Sequence, residues 1–597
     1  MEARNSGNLV LIGQASQQVI ALALVEMARF RLDERAYGET IKLCEQSLEF
    51  EDTAETRIEI AIASLYAKKP SEAASMASSA VALDPGNPLG WTIKGEALLQ
   101  SQDFSEAATA FSKAVQVKRD AEALYGLALA ELGMGEKQRA AEIFSQFLSI
   151  VGDFGWSRVL AGRAYQQNGL WQEAEMEFQK ALLLDPATPN AHYFWAITLM
   201  QGNGWIASPE VASQLRAELQ LNTRHFEANY MLGYLASTAG NYKESDQYLH
   251  LASEVKPSVP ETWVLLGLNA QNRKANQATE AYFRKAITLA ESLGIDEHLE
   301  VRKAYIGLGR LLMASARTQE GERLLSKARE LQAQVLAENQ RMFAAMKGPG
   351  EEKVVGAVAP YIPDADFDQR PSFSPPSSNR PITREDSSSS NRFATRSPRS
   401  PEGKTEKHLD AVLGSSFNDL ATAEALQGKY DQALKHYREA ANFDSRIPGL
   451  QRNLGLAAFF AGQPTEAVQL LSRVLARTPD DAHARAVLGM AYCATENFTK
   501  AVQTITPIAN LALQDTQLGF AWAKSLAQTG NKQGAARALH GMEKAHVNLS
   551  VEQLVQFGRL WQELGDADRA VQAFRRALQL DPENSDARCG LHLAKCP

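Results

Sequence analysis

The residue types that carry chemistry are all present in this chain, but their spacing assembles none of the usual reaction centres. No HExxH helix, GxxxxGKS/T phosphate loop or GxSxG nucleophile turn occurs in the 597 residues. The ten histidines are scattered without a repeating partner, and the acidic residues are spread as solvated charge. Gly133/Gly135 and Gly307/Gly309 are fragments of a glycine-rich loop, yet no strand precedes either pair, so they read as structural glycines. Cys44, Cys493, Cys589 and Cys596 form no CxxC pair, which favours small buried residues or free thiols over metal ligands. The expectation is a chain that is not an enzyme, with no catalytic residue, no cofactor and no metal.

What remains is recognition, and recognition depends on the elements that present the side chains. Self-similarity supplies them. The small residue that opens an A-x-x-x-F pattern falls at Thr40, Ala73, Ala107, Ala140 and Ala174, with spacings of 33, 34, 33 and 34. It continues less cleanly at Ser208, Ser245, Thr279 and Gly321. It resumes at Ala433, Ala467, Ala501, Ala535 and Ala570 with spacings of 34, 34, 34 and 35. Each period holds two amphipathic helices that cannot bury their apolar faces alone and must stack on their neighbours. A recurrent glycine, as at Gly95, Gly162, Gly267 and Gly558, marks the close approach in the first helix (helix A). Phe111, Phe178, Phe283 and Phe574 fill the gaps from the second (helix B). Asp84-Pro85, Asp185-Pro186 and Asp581-Pro582 end B helices, since proline disfavours helix at the residue before it.

The segment Arg158 to Pro186, RVLAGRAYQQNGLWQEAEMEFQKALLLDP, resembles a tetratricopeptide repeat through Gly162, Tyr165, Gly169, Trp171, Ala174, Phe178, Ala181 and Pro186. The DPGN and DPEN repeat ends resemble bacterial members of that family. The resemblance implies an all-α fold, a right-handed α-α superhelical solenoid of about fourteen helix pairs. It also implies a ligand surface on the concave wall lined by helix A. Reading the wall positions off the register yields Tyr125, Arg163, Tyr193, Tyr230 and Tyr234 in the first array, with Arg29 and Arg310 near its ends. In the second array it yields Asn418, Arg452, Asn453, Lys524 and Arg559. Tyrosine and arginine dominate interface hot spots. The alternative for the tyrosines is packing between neighbouring A helices. The family's carboxylate clamp for chaperone tails is disfavoured, because Asn418, Thr422, Asn453, His483 and Val487 stand at its positions and only Asn453 matches.

Organisation follows from where the period stops. Residues 1–347 read as a first array of about nine repeats, one distorted near 201–221. Residues 406–597 read as a second array of five repeats with a capping helix. Between them, 348–405 is rich in Pro, Ser, Asn and Arg and predicts a disordered tether that lets the arrays move independently. Its stretch Val354 to Ile362 is apolar enough to dock back onto a solenoid groove instead. Apolar residues make up 45% and charged residues 22%, an ordinary globular balance. A net charge of −8 argues against nucleic acid. The longest uncharged apolar run noted, Val19 to Val25, is too short to cross a membrane. The N-terminus lacks the pattern of a secretory signal, so the expected location is the cytoplasm. The expected function is a scaffold or adaptor holding partner proteins or peptides. The alternatives are a regulatory or substrate-recruiting subunit for an enzyme in trans and a cell-envelope assembly factor.

Overall fold

A computed structural model describes residues 8–294, 299–345, 402–545 and 549–591, and among them every regular element is a helix. The chain forms two compact units. Unit 1 combines Met1–Leu83 with Pro398–Pro597, and unit 2 is Asp84–Ser397.

Unit 1 begins with the pairs α1 (Leu9–Asp33) and α2 (Tyr37–Leu48), then α3 (Ala54–Tyr66) and α4 (Pro70–Leu83). Unit 2 follows with α5 (Pro88–Gln100) and α6 (Phe104–Val117), α7 (Ala121–Gly133) and α8 (Lys137–Val151), and α9 (Gly155–Gln167) and α10 (Trp171–Leu184). It continues through α11 (Ala191–Gly202) and α12 (Pro209–Leu221), α13 (Phe226–Thr238) and α14 (Tyr242–Val255), and α15 (Pro260–Asn272) and α16 (Asn276–Leu293). It ends with α17 (Leu299–Ala314) and α18 (Thr318–Ala345). The chain returns to unit 1 at α19 (Glu402–Leu426) and α20 (Tyr430–Phe443), α21 (Leu450–Phe460) and α22 (Pro464–Arg477). Then come α23 (Ala482–Ala494) and α24 (Phe498–Ile505), a short α25 (Ala509–Ala512), α26 (Thr516–Gln528) and α27 (Lys532–Ala545), α28 (Val551–Leu564) and α29 (Ala567–Leu580), and the terminal α30 (Ser585–Gly590).

The repeat holds together as its small residues require. A Cβ placed on Gly162 of α9 would come within 2.6 Å of the Phe178 ring of α10, and one on Gly558 of α28 within 2.6 Å of Phe574 of α29. Glycine lets the two helices close on a fully buried phenylalanine, and helix caps fix where each turn begins. Asp103, Asp120, Ser208 and Asp566 each accept from a backbone N–H of the first helical turn that would otherwise lack a partner. Pro507, which cannot donate to the ladder, lies in the 3-10 turn Thr506–Ile508 that interrupts the B helix after α24.

Three expectations need correction. The register mark at Ser208 is the N-cap of α12, and the buried residues that match Ala174 and Phe178 are Val211 and Leu215. The extra three residues therefore belong to the turn before α12, where Trp205 takes a positive φ of 66°, and the pair itself is complete. Second, α19 starts at Glu402, inside the span assigned to the tether. The rest of that span, 348–401, lies outside the described residues.

Third, the first helices of the two arrays are not independent. Ile20, Ala23, Leu24 and Met27 of α1 share one buried core with Leu413, Phe417, Leu420 and Ala421 of α19. The helices run antiparallel: a Cβ on Gly13 would sit 3.9 Å from Leu420, while Arg31 pairs with Glu406 at 2.5 Å toward the other end. Phe50 meets the Phe417 ring at 5.6 Å, and Glu49 pairs with Lys435 at 3.0 Å. The start of each array thus closes the start of the other, which satisfies the need of a solenoid end for a cap. At the far end of unit 1, α30 covers Phe574 through Gly590.

By length and hydropathy α1 passes as a membrane-crossing helix, which the sequence reading did not recognise. In the structure its Ile20 and Leu24 are core residues, while Val10, Leu11, Val19 and Leu22 on its other side are exposed.

Candidate partner-binding surface

Residues three or four apart share a helix face, so each A helix presents a stripe that includes the position three before the recurrent small residue and the position one after it. In unit 2 the first of these positions holds Tyr125, Tyr193 and Tyr230. All three are buried between neighbouring A helices, as in the alternative reading. The Tyr125 hydroxyl donates to the Leu160 carbonyl at 3.3 Å, its ring meets Phe144 edge-on at 6.1 Å, and burial pushes its phenol up to about 12. Tyr230 stacks on Phe226 at 6.0 Å. Tyr193 tilts against His225 at 5.1 Å, and burial raises its phenol strongly, with Glu227 adding to the rise. A contact role for these three would need a surface they do not expose. Tyr234 is half-buried, with its phenol raised by burial. The Arg163 guanidinium lies over the Phe194 ring, 4.8 Å from its centroid. Arg310 is exposed, whereas Arg29 is held within unit 1 by Glu26, Glu55 and Glu59.

The second array is different in kind. Arg452, Lys524 and Arg559 stand exposed on α21, α26 and α28. Arg452 lies 3.5 Å from Asp481, and Arg559 lies 2.9 Å from Asp586. Both pairs are solvent-facing and contribute about 0–1 kcal/mol, so a partner can displace them. Asn418 and Asn453 are half-buried. The clamp positions do not converge: Thr422 is tied to the Tyr437 hydroxyl at 3.0 Å, and Val487 is buried.

Sequence reasoning missed a polar cluster at the start of α11. Glu218, from B helix α12, accepts from the backbone N–H of Asn190 at 3.0 Å and of Tyr193 at 3.3 Å. His225 Nε2 lies 2.8 Å from the Asn190 side-chain oxygen. Positions 211, 215 and 218 share one inward face of α12. Trp156 and Gln166 were also missed, although they extend the 159/163 stripe of α9 by the helical period.

The A helices carry a second signature. Ser64, Trp156 Nε1, Tyr193 OH, Thr262, Arg302 Nε and Trp522 Nε1 are buried polar atoms with no hydrogen-bond partner among the described residues, and all lie on A helices. No group of His, Cys, Asp and Glu able to hold a metal is found among the described residues. Of the cysteines, Cys44 and Cys493 are free and buried. Cys589 is disulfide-bonded, which corrects the thiol reading at that position.

Stacked A/B helix pairs with a small-residue contact in each pair and a polar-lined A face define a helical-repeat binding protein. Family models described as tetratricopeptide repeat match residues 58–119, 94–152, 226–259, 458–519 and 554–584. Those stretches of the chain are tetratricopeptide repeats. Among solved structures it is similar to MamA, with 24% identity over 27% of this chain and 94% of that one, at a TM-score of 0.24. It is similar to a thermophilic tetratricopeptide protein from Thermus thermophilus, with 21% identity over 31% of this chain and 99% of that one, at a TM-score of 0.25. A Cut9–Hcn1 structure aligns over 93% of this chain and 99% of that one, with 12% identity and a TM-score of 0.26. Among curated proteins, none matches the sequence.

Proposed function

We propose that the protein is a non-enzymatic scaffold whose A-helix surfaces hold protein or peptide partners. The observation that carries this reading is the exposed set Arg452, Lys524 and Arg559 on the A helices α21, α26 and α28. The open receiving surface in this proposal is the wall of the second array, where Arg452, Lys524 and Arg559 supply cationic contacts and Asn418 and Asn453 supply amides. An acidic peptide or protein face suits that set better than nucleic acid, given the net charge of −8. The test is affinity capture from native extract with the full chain and with an Arg452→Glu/Lys524→Glu/Arg559→Glu variant. Retention of every partner by the folded variant would remove the second-array wall from the proposal.

The proposed location is the cytoplasm. One observation favours a second reading, a cell-envelope assembly factor: the disulfide at Cys589, since disulfides persist in oxidising compartments. Cell fractionation under thiol-blocking conditions separates the two.

A further inference from the structure

The junction of α1 with α19 has two sides. On one of them α2 and α20 cover it, where Phe50 lies 5.6 Å from the Phe417 ring and 5.8 Å from His436, and Glu49 pairs with Lys435. On the other side each helix carries a stripe at the spacing i, i+4, i+7, i+11, the seam by which one helix packs on another. On α1 the stripe is Leu11, Ala15, Gln18 and Leu22, and on α19 it is Ala411, Ser415, Asn418 and Thr422. Leu22 is 63% exposed and Leu11 43%, with Val19 beside them at 40%; Gln18 and Ala411 are exposed too. No Asp, Glu, Lys, Arg or His occurs from Asn8 to Val25 or from Ala411 to Asn418, although the whole chain carries −8. Toward one end of the face stand Glu26 of α1 and Lys407 and His408 of α19, all exposed. Leucines protruding from an uncharged strip, with a charged end, have the make-up of a surface that another protein covers.

We propose that this face docks a second copy of the chain, in a two-fold pair that lays α1 of each copy on α19 of the other. The fit is between unlike halves. Leu11 and Leu22 of α1 are large, and Ala411 and Ser415 of α19 are small. A face with knobs on one helix and holes on the next matches itself after a half-turn about an axis along the helices, which is the self-complementarity an isologous dimer needs. Gly13 beside Leu420 and Arg31 paired with Glu406 fix the antiparallel register of the two helices. That register puts Leu22 level with the stretch from Ala411 to Ser415, and Glu26 level with the stretch from Lys407 to Ala411. The half-turn keeps those levels, so Leu22 enters the small-residue stretch of the other copy while Glu26 faces the partner's Lys407. The same pair of opposite charges forms twice, once from each copy, and the uncharged middle of the face sets no like charges against each other. The face is also continuous with the buried α1–α19 core, so the dimer extends an existing helix seam to four helices. It uses none of Arg452, Lys524 and Arg559, and so goes beyond the partner surface proposed above and is tested separately from it.

The experiment is sedimentation of the full chain. Its mass should rise from 65.4 kDa toward twice that value as concentration goes from about 0.1 to 100 µM. Leu22→Glu should raise the dissociation constant about tenfold or more, and thermal unfolding should stay unchanged because the side chain is exposed. Glu26→Lys and Lys407→Glu should each weaken the dimer when alone, since each sets like charges across both contacts. An equal mixture of the two variants should dimerise as well as the parent, because a mixed pair restores Lys against Glu at both contacts. That recovery in the mixture cannot come from a contact within one chain. A monomer at every concentration overturns the proposal, as does a dimer that Leu22→Glu leaves intact or a mixture that recovers nothing. Binding of monomeric chain to phosphatidylcholine vesicles, abolished by Leu22→Glu, would give the face to lipid and overturn it as well.

Discussion

If α1 and α19 share one core, a cavity made in residue 24 must be felt nearly four hundred residues away. Leu24 is 1% exposed and belongs to the cluster that contains Phe417 and Leu420. Leu24→Ala removes buried methyl groups and leaves a cavity, at a cost of about 2–5 kcal/mol; Phe417→Ala costs about 3–5 kcal/mol. Because both side chains line the same space, the double variant should be less destabilised than the sum, with a coupling of about 0.5–3 kcal/mol. The ion pairs Arg31–Glu406 and Glu49–Lys435 are solvent-facing and worth about 0–1 kcal/mol each, so salt should leave the junction closed. The assay is hydrogen exchange of the full chain, resolved by peptide. A loss of 2 kcal/mol corresponds to roughly 30-fold faster exchange in Glu402–Leu426 as well as in Leu9–Asp33. Pro260–Asn272 in unit 2 serves as the unaffected reference. Faster exchange in α1 with α19 unchanged would refute the shared core, as would strict additivity of the two substitutions.

Other consequences of the geometry can be checked separately. Gly162→Ala puts a methyl 2.6 Å from Phe178 and should destabilise unit 2 by about 1–3 kcal/mol in thermal unfolding, since the ring is fully buried and cannot yield. Cys44 should resist thiol reagents at pH 8 until the chain unfolds, because burial and the nearby Glu59 push its thiol up to about 12 and keep it protonated. Burial and Glu406 raise the Asp410 carboxyl above its ordinary 3.8, so the ionised form is disfavoured in the fold. Asp410→Asn should therefore stabilise unit 1 at pH 7, with the gain fading as pH falls through the raised value and absent below 3.8, in urea titrations at pH 7 and in acid. The Arg158 hydrogen bonds hold Asp153 below 3.8, so that pair stabilises above this pH and its contribution is lost as pH falls further. Arg158→Met should remove that acid-limb step.

The helix pairs were legible because their closest contact is written in residue size: a glycine at 162 and a phenylalanine at 178 imply each other whatever surrounds them. The same logic failed at Ser208 because a Ser-Pro cap and a small residue inside a helix look alike in a one-letter period, and only the buried partners Val211 and Leu215 distinguish them. The acidic residues read as solvated charge, yet Glu218 is buried and caps the start of α11 from within. The candidate tyrosines lie on A helices, but a register says which stripe a residue lies on and not what covers it, and Tyr125, Tyr193 and Tyr230 are buried.

The junction of α1 with α19 was illegible for a deeper reason. Ile20, Leu24 and Met27 follow a helical period that declares an apolar face and leaves its partner unnamed; a following repeat and a distant helix satisfy it equally. What selects α19 is that each array begins with an uncovered A helix. A long tether cannot keep two such faces apart, because the entropy of closing a loop grows only about 0.6 kcal/mol per doubling of its length. Joining the faces removes two exposed ends in one contact, and that contact makes the N-terminal repeats part of the second array's core. Residues 406–597 alone should then expose Leu413, Phe417 and Leu420, and a partner found with that fragment must be checked against the full chain before it is assigned to the cationic wall.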